Sequence, residues 1–154
     1  MKPGNRMLRS ALSVPGIVMA LAMGPASGTE RPAATLYKNP QCSCCEQYAS
    51  YLRSNGFTVK VVPTHNLSLI RRQAGVDLPE KLEGCHTMLI DKYVVDGHVP
   101  LKTLDRLLTE RPEIRGVSLP GMPMGSPGMT GRKTEPFTIY EIGNDAEPRV
   151  YATE

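Results

Sequence analysis

ATLYKNPQCSCCEQYASYLRSNGFTVKVV, residues 34–62, is the stretch on which the fold turns. Ala34 to Tyr37 is a short apolar run that reads as a strand, and Asn39-Pro40 breaks it. From Cys44 to Asn55 the positions Cys45, Tyr48, Ala49 and Leu52 recur at helical spacing, and Gly56 closes the segment. Phe57 to Val62 alternates and is rich in β-branched residues, which predicts a second strand. Strand, helix and strand in so short a span argue for a parallel crossover.

Outward from there, Leu67 to Ala74 reads as a helix stopped by Gly75. Thr87 to Ile90 and Tyr93 to Val95 read as two strands joined by a tight turn at Asp91-Lys92, although that is not the preferred turn dipeptide. Pro100 can open a helix whose apolar face is Leu101, Leu104, Leu107 and Leu108, ending at Arg111-Pro112. The order β-α-β-α-β-β-α predicts an α/β sandwich of thioredoxin-like layout. Residues 112–136 hold five Pro and five Gly without periodicity and read as a Met-rich loop. Phe137 to Ile142 is a final strand, which bounds the domain at 29–142, and 143–154 reads as a tail.

The first 28 residues differ from the rest. Lys2, Arg6 and Arg9 precede an apolar run from Ala11 to Met23, and small residues follow at Gly24, Ala26, Ser27 and Gly28. That is the layout of a signal peptide cleaved after Ala26 or Gly28, and it predicts export to the periplasm. The apolar run has 13 residues and contains Pro15 and Gly16, short of the ~20 that span a bilayer, so no stable membrane insertion is expected after cleavage. The leader takes three of the 18 Lys and Arg, leaving 15 cations against 15 acids. A formal charge of zero gives no reason to expect nucleic acid or an anionic membrane as partner.

All four cysteines lie in two short segments, Cys42-Ser43-Cys44-Cys45 and Cys85-His86. A disulfide framework is the plain explanation in an oxidising compartment, but three cysteines in one turn cannot all bridge distant segments. Thiolates at a helix N-terminus have lowered pKa values, which suits either thiol exchange or soft-metal capture. Cys42 and Cys45 are in C-x-x-C register, as in dithiol oxidoreductases, whereas Cys44 makes a three-thiol cluster that simple exchange does not need. In thioredoxins the strand facing the active site is preceded by a cis-proline; here His86 stands in that place, with Cys85 before it and Thr87 after. Thiolate, imidazole and the thioethers of Pro120-Gly121-Met122-Pro123-Met124-Gly125-Ser126-Pro127-Gly128-Met129 together point to copper.

The series Cys-x-Cys-Cys, Cys85-His86-Thr87, Asp96-Gly97-His98-Val99-Pro100 and the Pro-Gly-Met-Pro and Gly-Ser-Pro-Gly-Met run resembles the CopG-type family of bacterial copper-resistance proteins, long catalogued as a metal-binding domain of unknown function. The resemblance runs from about Leu36 to Ile142. It implies a thioredoxin-like fold in the periplasm and a multinuclear copper site on Cys42, Cys44, Cys45 and Cys85. His86, Met122 and Met129 are further candidate ligands, with Met124 ranked below them. His98 is a candidate that otherwise reads as a capping histidine before the last helix, and His65 reads as solvent-facing or capping.

The function this implies is a copper-resistance protein that holds Cu(I) and interconverts Cu(I) and Cu(II), which would make it a copper oxidoreductase. The alternative is a thiol-disulfide oxidoreductase acting on exported proteins. A chaperone serving other periplasmic copper-handling proteins is a narrower third reading, for which no docking surface stands out. Hydrolase and nucleotide-binding readings find no motif.

Overall fold

Burial alternates along β1 (Ala34–Lys38), with Ala34, Leu36 and Lys38 inward and Thr35 and Tyr37 half-buried on the other face. This is the period of a strand covered on both sides. In the computed structural model, which describes residues 31–143 and 147–154, β1 is followed by α1 (Ser43–Ser54), β2 (Val59–Pro63) and α2 (Leu67–Gln73). A 3-10 turn at Glu80–Leu82 leads into β3 (His86–Ile90), β4 (Tyr93–Asp96) and α3 (Leu101–Glu110). Three strands complete the chain: β5 (Gly116–Ser118), β6 (Thr138–Ile142) and β7 (Val150–Thr153). The leader read over residues 1–28 lies outside the described residues.

The strands form one seven-stranded sheet in the order β2-β1-β3-β4-β5-β6-β7. β1 pairs parallel with β2 and antiparallel with β3, and β3 with β4 forms the antiparallel hairpin. The fold is therefore the α/β thioredoxin-like arrangement that the sequence order predicts. Asp91 takes the left-handed conformation (φ 52°) in the two-residue turn, which Asp tolerates better than most residues.

The pleat sorts the chemistry. Met88, Ile90, Tyr93 and Val95 face the main core with Tyr48, Ala49 and Leu52 of α1 and Leu104 and Leu107 of α3. Val94 belongs to a smaller cluster with Val76, Leu78, Leu82 and Ile142 on the other face. Alternation along β3 thus turns His86 toward α1 and Thr87 toward α2.

Two segments differ from the sequence reading. The loop read over 112–136 contains β5, which pairs parallel with β4 from Val94↔Gly116 to Asp96↔Ser118. Its three residues are all buried and give no alternation to detect. The tail read over 143–154 contains β7, paired antiparallel with β6. Phe137 and Glu154 exchange both backbone hydrogen bonds, so residues read as a tail add a strand to the sheet.

Candidate metal centre

The cysteine turn is held from below by a buried cation. Lys38, at the end of β1, donates from Nζ to the carbonyls of Asn39 (3.1 Å) and Pro40 (3.2 Å) and pairs with Glu46 at 3.2 Å. The Cys42 N–H donates to the Asn39 carbonyl at 3.0 Å, which sets Cys42 at the N-cap of α1. Cys42 and Cys45 are joined in a disulfide, and Cys44 and Cys85 are free. Cys45 is fully buried in the core, whereas Cys42, Cys44 and Cys85 are half-buried.

Two overlapping groups of donors result. The sulfurs of Cys42, Cys44, Cys45 and Cys85 all lie within 4.8 Å of one another, and so do the ligand atoms of Cys45, Cys85, His86 and His98. Cys44 Sγ is 3.3 Å from Cys42 Sγ, and Cys85 Sγ is 3.5 Å from Cys45 Sγ. Burial pushes the Cys85 thiol up to about 12, with Cys44 adding to the effect, so without metal it keeps its proton at neutral pH.

His98 is aimed at that thiol. Its Nδ1 lies 2.6 Å from the Pro127 carbonyl, which can only accept a hydrogen bond. The proton therefore belongs on Nδ1, and Nε2 offers its lone pair to Cys85 Sγ at 3.0 Å. The sequence reading left His98 as either a cap or a ligand; the structure brings it to the cysteines. His65 stays exposed, and Asn66 caps α2 in its stead, accepting from the Leu69 N–H.

His86 is wholly buried between Tyr48 and His98, with ring centroids 4.7 and 5.0 Å away. Its Nδ1 is 3.7 Å from Cys85 Sγ, and its Nε2 has no hydrogen-bond partner. Burial, then His98 and Arg71, lower its pKa to about 3 from the ordinary 6.5. The unfolded chain would therefore bind a proton that the fold refuses. Stability of the metal-free protein should be full above about pH 6.5 and fall as the pH drops toward 3, at up to about 1.4 kcal/mol per pH unit. Urea unfolding from neutral pH downward checks this, and His86→Gln should flatten the profile. An unchanged slope in that variant would assign the acid lability to other groups.

Behind Cys85 and His86 lies a buried ion pair that sequence reasoning missed. Arg71 of α2 donates from Nε to Asp96 Oδ2 (2.8 Å) and Thr87 Oγ1 (3.1 Å) and pairs with Glu83 at 2.7 Å. Asp96 also accepts from the Gly84 N–H at 2.5 Å and from the Thr87 hydroxyl at 2.6 Å. Burial raises the Asp96 pKa, and Arg71 and the two hydrogen bonds oppose that rise. In the sequence, Arg71-Arg72 looks like an ordinary solvated pair, so nothing signals that one of the two points inward.

Gly84 and Gly97 let these segments close up. A Cβ on Gly84 would stand 2.4 Å from the Gly97 Cα, and one on Gly97 would stand 2.2 Å from the Leu119 carbonyl oxygen. Gly97 also has φ +77°, so a side chain there would be strained as well as obstructed.

The Pro/Gly/Met segment folds onto this centre. The Gly121 N–H donates to the Glu83 carbonyl (3.1 Å), and Gly128 packs so closely on the backbone of Tyr48 that a Cβ would come within 2.5 Å of its nitrogen. Met122 Sδ lies 3.9 Å from Cys44 Sγ while its side chain stays half exposed. Met129 closes the Ser126–Met129 turn, its backbone N–H donating to the Ser126 carbonyl at 2.9 Å. Met124 instead lines a cavity of about 690 Å³ with Leu119, Pro123 and Phe137, to which none of the donor side chains contributes.

Comparison with known proteins bears on the same segments. A family profile described as "Protein of unknown function, DUF411" matches residues 82–129, from the turn before Cys85 to the end of the methionine run. A solved structure named "Copper resistance protein copG- Form 2" is 31% identical, superposes with a TM-score of 0.72, and the match covers 81% of this chain and 99% of that one. The structure named "Copper resistance protein copG- Form 1" is also 31% identical, with a TM-score of 0.71 and coverage of 81% and 98%. No curated protein sequence matches.

Proposed function

The chain belongs to the CopG family of copper-resistance proteins, and from that premise we propose that it is an exported protein that holds Cu(I) in a multinuclear, cysteine-based site and interconverts Cu(I) and Cu(II). The observation that carries this is the overlap of the two donor groups at Cys45 and Cys85, with four sulfurs on one side and two imidazoles on the other. Thiolates favour Cu(I), and imidazole accommodates Cu(II) as well, so an ion in the shared region has donors for either state. Cu(I) becoming Cu(II) gives one electron to an external one-electron acceptor. Loading also has a proton cost, since Cys85 must give up a proton it otherwise holds up to about pH 12. Cys42, Cys44, Cys45 and Cys85 are the core ligands in this reading, His86, His98 and Met122 complete them, and Met129 is the weakest candidate.

Export follows from the leader sequence, and no helix among the described residues is long and apolar enough to cross a membrane. Other copper-handling proteins of the same compartment are the partners that such a carrier would serve.

The Cys42–Cys45 disulfide favours a second reading, thiol-disulfide oxidoreductase. Against it, two free thiols and two imidazoles crowd round that bond, and exchange with an external thiol needs none of them. Metal capture is what such a compact group of soft donors suits.

An anaerobic Cu(I) titration of the fully reduced protein against a competing chelator should end above one equivalent. Seven soft or borderline donors exceed what one Cu(I) takes. An end point at one equivalent would sink the multinuclear reading and favour a simple carrier.

A further inference from the structure

With Cys42 and Cys45 bonded to each other, half of the thiols are withdrawn from metal binding, because a disulfide sulfur has no proton to lose and no charge to offer. The structure shows what is left. Cys44 and Cys85 are free, and their sulfurs are within 4.8 Å of each other. Each has a donor of its own at hand: Met122 Sδ at 3.9 Å from Cys44, and His98 Nε2 at 3.0 Å from Cys85. His98 already has its other nitrogen tied to Pro127, so its lone pair faces the thiol in the disulfide form. A thiolate stands about 2.3 Å from a bound d¹⁰ ion such as zinc, so two sulfurs sharing one ion across a straight bridge are about 4.6 Å apart. The gap between Cys44 and Cys85 is no wider than 4.8 Å, so one ion can reach both sulfurs, and this does not depend on reducing the disulfide.

We propose that the disulfide form is itself a copper site, holding a single Cu(I) between Cys44 and Cys85 with Met122 and His98 alongside, and that the Cys42–Cys45 bond sets how many ions the protein carries. This rests on the copper-holding reading above and adds to it two loading states that differ by two electrons. The step between them is thiol-disulfide exchange with an external dithiol. The dithiol loses two protons and two electrons as its own S–S bond forms. The Cys42–Cys45 bond breaks, and each sulfur gains one of the protons to become a thiol. The reduced protein then has four thiols in place of two, and its capacity rises accordingly. Met122 and His98 flank the one-ion state, so their share in holding copper is greatest when the disulfide is closed.

The probe is Cu(I) supplied as its acetonitrile complex, titrated anaerobically against bicinchoninate. One sample is the disulfide form, with two free thiols confirmed by alkylation and mass spectrometry before and after loading. The other is the reduced form, freed of reductant. The expected end points are one equivalent and more than one. Cys85→Ser should abolish the single equivalent of the disulfide form. The double variant Cys42→Ser/Cys45→Ser should take one equivalent whether or not it has met reductant. If the hydroxyl that Cys45→Ser buries in the core unfolds that variant, the comparison of the two wild-type forms still decides. A disulfide form that binds nothing while the reduced form binds several ions overturns this inference and leaves the copper-holding function intact. Equal end points overturn it too, because the bond would then not set capacity. Failure of both forms to bind would remove the functional reading along with it.

Discussion

Replacing Arg71 with Met should cost the fold about 3–5 kcal/mol, a large part of the roughly 5–15 kcal/mol that holds a domain together. The side chain is buried, and Asp96, its partner at 2.8 Å, is fully buried. Met keeps much of the apolar stem but leaves a carboxylate in the interior with only the Gly84 N–H and the Thr87 hydroxyl to stabilise it. Guanidinium unfolding measures the loss. The double variant Arg71→Met/Asp96→Asn should recover much of it, because Asn can accept from Gly84 and donate to Thr87 without a charge. A single-variant loss below about 1 kcal/mol would mean that the pair does not clamp α2 to the hairpin. Because Gly84 and Thr87 bracket Cys85 and His86, the same substitution should also loosen the metal centre.

Cys44→Ser should have the largest effect on metal. It leaves the Cys42–Cys45 disulfide in place while removing the sulfur that touches Met122 and stands 3.3 Å from Cys42. Cu(I) capacity of the reduced protein should fall to one equivalent or below, and the disulfide should remain as reducible as before. Cys44 is half-buried and packs against the core without being one of its buried residues, so the fold should tolerate a change of nearly the same size. If the variant kept its copper and lost disulfide-reductase activity, the functional assignment would have to pass to the oxidoreductase reading.

α1, α3 and β2 were legible because each carries a period, and β1, β3, β4 and β6 because short apolar runs stand out between turn residues. Tyr48, Ala49 and Leu52 mark the buried face of α1 at helical spacing, and Leu104 and Leu107 do the same for α3. β5 and β7 escaped because three or four residues, one set buried throughout, display no period at all. Among the candidate donors, the three cysteines of the first turn announce themselves by crowding. The nearness of Cys85 to them could be argued from the strand order, since β1 and β3 are neighbours and Lys38 pairs with His86. The place of His98 could not, because it depends on how tightly the backbone closes at Gly84 and Gly97. Lys38, Arg71 and Asp96 were missed for a different reason. Burial of a charge is a tertiary fact, and a lone Lys or Arg in sequence gives no sign of it.

That closure of glycine against backbone has a thermodynamic consequence. Cys85 and His98 are brought within 3.0 Å by main chain touching main chain, with no flexible side chain left to give way. The conformational entropy of assembling these two donors is therefore lost when the chain folds and not when an ion arrives. Small metal-binding domains that order only around their ion behave in the opposite way, and chelators unfold them. Here stripping the metal should leave a folded shell, and an ion moving in or out meets a site whose shape it did not have to create.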